Sequence, residues 1–428
     1  MKKILIYSHD TYGLGNIRRM LAIATFLSRS RPDYSILILS GSPMLHSFRI
    51  PERIDYVKLP CLGRTQGGQY VVRSLDMEYD AIVRLRANII QAALLDFQPD
   101  LLLVDKKPLG LSNELQPALE AMQTLARPPR CVMVLRDILD APATTQAEWA
   151  QGGYHQAIER YYDQLLVVGS AEVFNLGAEY RFPAATRAKL RYCGYVHREL
   201  NADNGADVRQ RYAIGDAPLV VLTAGGGADG FALLSAYMQG PARHPPVAGQ
   251  RTLVLCGPEM MAAHRQQIER WAAECRGVQV LEFSNDVMSL LDAADLVVSM
   301  GGYNTVCEIL SLGKRALIVP RVAPVEEQWI RCQRMEALGL LRALHPQQLQ
   351  PERLCRVVGE ELASSHRQSV PVHRLEFDGL GRMGWWLERL LAQAEPPVAA
   401  AESPRDTVPF LFPEGVLSIG GWQYGSAS

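Results

Sequence analysis

Long apolar runs are missing from this chain. No stretch approaches the roughly 18 residues that cross a bilayer, so any membrane contact is expected to be peripheral. An excess of one charge is missing too: Lys plus Arg total 44 against 45 Asp plus Glu, a formal net charge of −1. Such a balance supplies no global field to draw the chain onto nucleic acid, and no nucleic-acid partner is expected. Paired cysteines are absent. The eight cysteines, at 61, 131, 193, 256, 275, 307, 332 and 355, stand singly, with no CxxC and no His at zinc-ligand spacing. They read as reduced thiols, and neither a metal nor a cofactor is expected. The N-terminal MKKILIYSHD carries only a short apolar run closed by His9 and Asp10, too short for a secretory core, so a first strand and a cytoplasmic location are expected.

What is present is a repeating alternation. A chain of 428 residues with 48% hydrophobic and 21% charged residues has ordinary globular composition and room for two cores. Apolar runs of four to six residues alternate with segments of helical period, the pattern of strands buried on both faces with helices packed around them. In the first half the strands are predicted at 4–7, 35–39, 55–59, 101–104, 130–135 and 165–168, with helices at 17–28 and 81–96 among others. The polar segment 196–208 carries Asn-Gly and reads as a linker. The alternation then restarts, with strands at 219–223, 252–255, 278–283, 296–299 and 316–319. Helices are predicted at 231–239, 261–274, 286–293, 305–312 and 326–338, with a last one around 385–391. The expectation is an α/β chain of two Rossmann-like, doubly wound parallel-sheet domains, at 1–197 and 209–394, joined by a linker at 198–208. A Pro-, Ala- and Gly-rich tail at 395–428 reads as loosely ordered. Ligands of such folds sit in a cleft at the carboxyl ends of the strands.

Three segments put reactive groups there. Ser8–Arg19 (SHDTYGLGNIRR) follows the first strand and opens a helix. Gly13 and Gly15 allow close backbone approach, and the helix start offers free N–H groups. It is not the dinucleotide fingerprint, because Arg18 occupies the third glycine position. His9 and Asp10 stand where a general base has to stand, although a plain strand-to-helix turn would use the same glycines. Thr223–Gly230 (TAGGGADG) ends the first strand of the second half. Its consecutive glycines leave amides unshielded, which suits a diphosphate, and no Gly-Lys-Ser/Thr follows to make it a Walker loop. In the third segment a strand ends at Gly301 and Gly302, a helix starts at Asn304 and Thr305, and Glu308 lies one turn inside. A carboxylate there can accept both hydrogen bonds of a ribose diol. Asp105-Lys106-Lys107 and Arg136-Asp137 follow strands of the first half and suit either an acceptor or structural ion pairing. The arginines at 18, 19, 29 and 31 read as a solvated face, with steering of an anionic or membrane-bound acceptor as the alternative.

The third segment resembles the donor-binding region of GT-B glycosyltransferases related to the bacterial enzyme that adds N-acetylglucosamine to lipid I. Those enzymes carry a Gly-rich strand end, then Thr-Val-x-Glu-Ile, then Gly-x-Pro-Ala-Leu-x-Val-Pro, then a Gln-containing helix start. Here the matching residues are Thr305, Val306, Glu308, Ile309, Gly313, Ala316, Leu317, Val319, Pro320 and Gln328. Similarity continues through 283–288, Gly225–Gly227 and 193–198, and is strongest between about 280 and 340. The resemblance implies that Glu308 binds the donor ribose, that the backbone at Ser284 and Asn285 reads the uracil edge, and that Gly226 and Gly227 face the diphosphate with Arg198 beside them. Gly302, Asn304 and Thr305 complete the donor loop, and Gln328, with Glu327 and Arg331, holds the sugar. Asn16 stands where the family carries the His of its GxGH loop, which leaves His9 or Asp10 as the candidate base. Arg331 stands where the peptidoglycan enzyme has an Asn that touches the sugar. On the acceptor side the candidates are Asn16, Asp105 and Arg136.

The activity so implied is metal-independent transfer of N-acetylglucosamine or another hexose from a UDP-sugar to a hydroxyl of a small-molecule, peptide or lipid-linked acceptor. Two alternatives share the residues: a UDP-sugar 2-epimerase and a non-catalytic nucleotide-sugar-binding subunit.

Overall fold

In the computed structural model the described residues are 1–9, 15–64, 70–196, 204–284, 286–364 and 375–393. Seven parallel strands make the first sheet: β1 (Lys2–Ser8), β2 (Tyr34–Ser40), β3 (Ile54–Lys58), β6 (Leu101–Asp105), β7 (Arg130–Arg136), β8 (Gln164–Val168) and β9 (Leu190–Gly194). A short antiparallel hairpin, β4 (Leu62–Arg64) with β5 (Tyr70–Val72), lies apart. Six parallel strands make the second: β10 (Leu219–Thr223), β11 (Arg251–Leu255), β12 (Val278–Leu281), β13 (Leu296–Ser299), β14 (Ala316–Ile318) and β15 (Arg342–Ala343). The first sheet is ordered β3-β2-β1-β6-β7-β8-β9 and the second β12-β11-β10-β13-β14-β15, so each reverses direction of growth beside its first strand. Two doubly wound domains result, as expected.

Strand alternation divides the core. Ile4 and Ile6 of β1 face one apolar cluster while Leu5 and Tyr7 face another, all of them fully buried. Side chains of a strand alternate faces, so a strand covered on both sides reads as an unbroken apolar run. The first of these clusters does not stop at the domain boundary. It runs on through Cys193, Tyr195 and Tyr303 to Leu219 and Val221 of the second sheet. Helix Gly15–Ser30 contributes Ile17, Met20, Leu21, Ala24 and Leu27, apolar at the helical period and each at most 1% exposed.

Three differences from expectation have physical causes. β9 is an edge strand whose first three residues are only half buried, so it shows no continuous apolar run. The segment expected as linker already forms a helix, Gly205–Arg211, at its end; the Asn204 side chain accepts from the Ala206 and Asp207 amides and Asp207 answers back, a complete capping box. The second domain does not keep the chain to residue 394. The last helix, Gly379–Ala392, returns to pack on β9 and on helix Gly15–Ser30. Gly384 permits this: a Cβ there would stand 2.9 Å from the Phe26 ring. The expected tail, 395–428, lies outside the described residues, and among those residues no helix is long and apolar enough to cross a membrane.

Candidate functional site

In each sheet the strand order reverses between the first strand and its neighbour, and a crevice opens at the carboxyl ends of those two strands. In the first sheet these ends are Ser8 and Asp105; in the second they are Thr223 and Ser299. The sequence segments singled out as reactive therefore lie at the two switch points.

On the second domain, Gly225 and Gly226 are exposed while Gly227 is buried. Gly227 has φ of 96°, and a Cβ on it would lie 2.4 Å from the Cys256 carbonyl oxygen. No other residue fits. The facing loop locks this turn: the Glu259 amide donates to the Gly226 carbonyl at 2.8 Å, and Gly257 packs so closely that its own Cβ would fall 2.6 Å from the Gly225 and Gly226 oxygens. That second loop gave no signal in the sequence, because its role is set by contact with a turn 30 residues away. Thr305 Oγ1 is the nearest atom, at 3.9 Å, to a Cβ built on Gly225. The helix Tyr303–Ser311 thus presents Thr305 to the glycine turn, and Glu308, one turn on and 4% exposed, shares that helix face. Gly302, half-buried at the start of the helix, has nothing within 4 Å of its Cβ position, whereas Gly301 is hemmed by Pro320, Gln328 and Cys332. Asn304 is exposed, and Ser284 is half-buried with its Oγ accepting from the Asp286 amide.

On the first domain, His9 is 2% exposed, and its carbonyl accepts from Asn16 Nδ2 at 2.7 Å. Gly15 opens the following helix. Asp10, Gly13, Arg198 and Asn285 lie outside the described residues.

Five of the candidates, Asn16, Asp105, Arg136, Glu327 and Arg331, are joined by one polar network that crosses the cleft. Arg19 bonds Asp105 at 2.5 Å and Asn16 at 3.2 Å; Arg136 reaches Asn16 at 3.4 Å and both Glu327 oxygens at 3.2 and 3.3 Å. Glu327 also accepts from Arg331 at 2.8 Å, and Arg331 grips Asp137 with two bonds, of 2.9 and 3.1 Å. Asp137 follows β7 of the first sheet and Arg331 lies on helix Glu327–Ala337 of the second domain, and both side chains are 0% exposed. The ring of Tyr303 lies 5.3 Å from the Arg331 guanidinium, and Tyr195 Oη lies 3.4 Å from Asp137. The same helix is tied down twice more, by the Glu326 amide on Asp140 and by Arg334 on Glu179.

This geometry corrects two expectations. Arg331 does not line the cleft as a sugar ligand, because its guanidinium is wholly buried in an interdomain ion pair. Arg19 is not part of a solvated face, being 7% exposed and bound to Asp105, which is 0% exposed and so takes the ion-pairing reading rather than the acceptor one. Gln328 remains half-buried at the cleft, with its Oε1 accepting from the Arg321 amide at 3.0 Å.

Glu327 has the clearest electrostatic signature. Burial pushes its carboxyl up, but Arg136 and Arg331 outweigh burial and hold it at about 2, against an ordinary 4.5. A depressed folded-state value means that this stabilisation is complete above about pH 4.5 and fades as the pH falls toward 2. Denaturant unfolding at pH 6 and pH 3 is expected to show a loss of about 2 kcal/mol from this group. In Glu327→Gln the fall between those two pH values should be smaller by that amount; an equal fall in both proteins would refute the assignment.

Residues 220–374 match the glycosyltransferase family 28 C-terminal domain, a span that holds the glycine turn, Glu308 and helix Glu327–Ala337. A curated relative in Paraburkholderia phymatum is a UDP-N-acetylglucosamine–N-acetylmuramyl-(pentapeptide) pyrophosphoryl-undecaprenol N-acetylglucosamine transferase. It is 34% identical over 113 residues, 26% of this chain. The match spans about a third of that enzyme's length, 30%. Among solved structures, Acinetobacter baumannii MurG superposes with a TM-score of 0.60 at 15% identity, over 91% of this chain and all of that one. A Listeria monocytogenes protein assigned as a UDP-N-acetylglucosamine 2-epimerase superposes with a TM-score of 0.61 at 14% identity, over 92% of this chain and 95% of that one. At such identities the likeness establishes the fold, which is GT-B.

Proposed function

We propose that this chain is a glycosyltransferase that moves a hexose or N-acetylhexosamine unit from a UDP-sugar to an acceptor hydroxyl. The observation that carries the reading is the coincidence of the family 28 match with the second switch point, where an exposed glycine turn, an open helix start at Gly302 and the Glu308 carboxylate converge. Glu308 takes the ribose diol. The amides of Gly225 and Gly226 and the first turn of the helix take the diphosphate. Gln328 takes the sugar. Ser284 stands at the loop assigned to the uracil.

In the reaction the bond between the anomeric carbon and the phosphate oxygen breaks, its electron pair leaves with UDP, and the acceptor oxygen bonds to the anomeric carbon. Amides aimed at the leaving diphosphate stabilise the charge that develops on it. The acceptor proton passes to His9 or Asp10 at the end of β1. No metal or cofactor has a part in this scheme. The acceptor is a small molecule, a peptide or a lipid-linked group.

Gly302→Ala separates binding from folding. With open space at its Cβ position the variant is expected to unfold at the wild-type temperature, yet a methyl group at the helix start should weaken UDP binding about tenfold, read by calorimetry. Unchanged affinity would remove the diphosphate from this turn. A 2-epimerase built on the same fold would convert UDP-N-acetylglucosamine with no acceptor present. Proton NMR of that mixture is expected to show no epimer; its appearance would favour the alternative. A chain that binds UDP yet neither transfers nor hydrolyses any UDP-sugar would be a binding subunit.

A further inference from the structure

We propose a second ligand site on the side of the first domain opposite the cleft, one that takes a phosphorylated small molecule with a hydroxyl-bearing body. A cavity of about 500 Å³ opens between the amino ends of β8 and β9 and the last helix, lined by Gln164, Arg191, Trp386, Arg389 and Gln393. Its size falls in the range of small-molecule sites and far exceeds what a bare ion fills. Gln164 and Arg191 sit at the starts of their strands, so the cavity is separated from the cleft by the length of the sheet.

The wall chemistry selects the ligand. Arg191 is held in place: its Nη1 donates to the Ala188 and Leu190 carbonyls, each at 2.8 Å, and its guanidinium lies 5.0 Å from the Trp386 ring centroid. Arg389 lies 5.3 Å from the Trp385 ring centroid. Among the described residues neither guanidinium is paired with a carboxylate, and Glu388 of the same helix turns instead to Arg31 at 3.3 Å. Two positive charges without counter-charge around one cavity suit a dianion, and a phosphate monoester carries nearly two charges at neutral pH. The third element is Gln164. It lines the cavity beside the two arginines and is only 9% exposed, so its side-chain amide is a well-held polar group in the wall, suited to a ligand hydroxyl. Trp386 offers the apolar wall against which a sugar ring packs.

The test is calorimetric titration of the full chain with glucose 6-phosphate and ribose 5-phosphate, with inorganic phosphate and glucose as controls. A sugar phosphate is expected to bind saturably and at least about tenfold more tightly than either control. Arg389→Ala removes an exposed side chain that makes no hydrogen bond in the structure, so the fold is kept; it should weaken binding about tenfold or more. Glu308→Ala, which alters only the cleft, should leave it unchanged. Absence of saturable binding by both sugar phosphates, equal binding of inorganic phosphate, indifference to Arg389→Ala, or loss in Glu308→Ala would each overturn the proposal.

Discussion

Arg331→Met is expected to destabilise the protein by about 3–5 kcal/mol, the usual cost of removing one partner of a buried ion pair. The reason is the fate of Asp137, which is 0% exposed and takes two hydrogen bonds from the guanidinium that would be lost. Its remaining partners, the Ile138 amide at 2.9 Å and Tyr195 Oη at 3.4 Å, donate hydrogen bonds but bring no charge to neutralise a carboxylate. Glu327 would lose one of its two arginines at the same time. The effect should appear as a fall in the thermal midpoint on the order of 10 °C, with the interdomain connection becoming sensitive to protease. The double variant Arg331→Met, Asp137→Leu should lose less than the two single losses combined, because no buried charge is left alone. Additive losses would show that the two groups do not act as a pair.

Glu308→Ala is expected to weaken UDP binding by ten- to a hundredfold, which corresponds to the roughly 1.5–3 kcal/mol of hydrogen bonds made to a charged group. Calorimetry with UDP reads the affinity directly, and circular dichroism checks that helix Tyr303–Ser311 is intact. His9→Ala should behave oppositely, keeping UDP affinity while turnover falls by about a hundredfold or more if His9 is the base. Wild-type UDP affinity in Glu308→Ala would remove the ribose contact and with it the orientation of the donor.

The proposed donor side could be read from the sequence because its parts are close in the chain. A strand end, two glycines and a carboxylate one helical turn inside are a local arrangement, and the strand-turn-helix that carries them follows from periodicity alone. The cleft-crossing network could not. Asn16, Asp105, Arg136, Glu327 and Arg331 were expected at one substrate or the other, with structural ion pairing as the alternative for Asp105 and Arg136; they meet one another, Arg19 joining Asp105 to Asn16 and Asp137 closing the far end. A basic residue near a strand end carries no sign of whether its partner is a ligand or a carboxylate 194 residues away. The edge strand β9 and the return of helix Gly379–Ala392 escaped for a related reason: each is defined by what covers it.

The alternation of apolar runs and helical segments by itself determined the doubly wound fold of both halves, since only strands buried on two faces need unbroken apolar runs. Glycine spacing marked where the backbone is left uncovered, at Gly225 and Gly226. The tertiary structure decided which charges are spent on holding the domains together and which remain at the cleft. An arginine's chemistry is set by its desolvation and its nearest carboxylate, and both are properties of the folded chain, absent from the order of its residues.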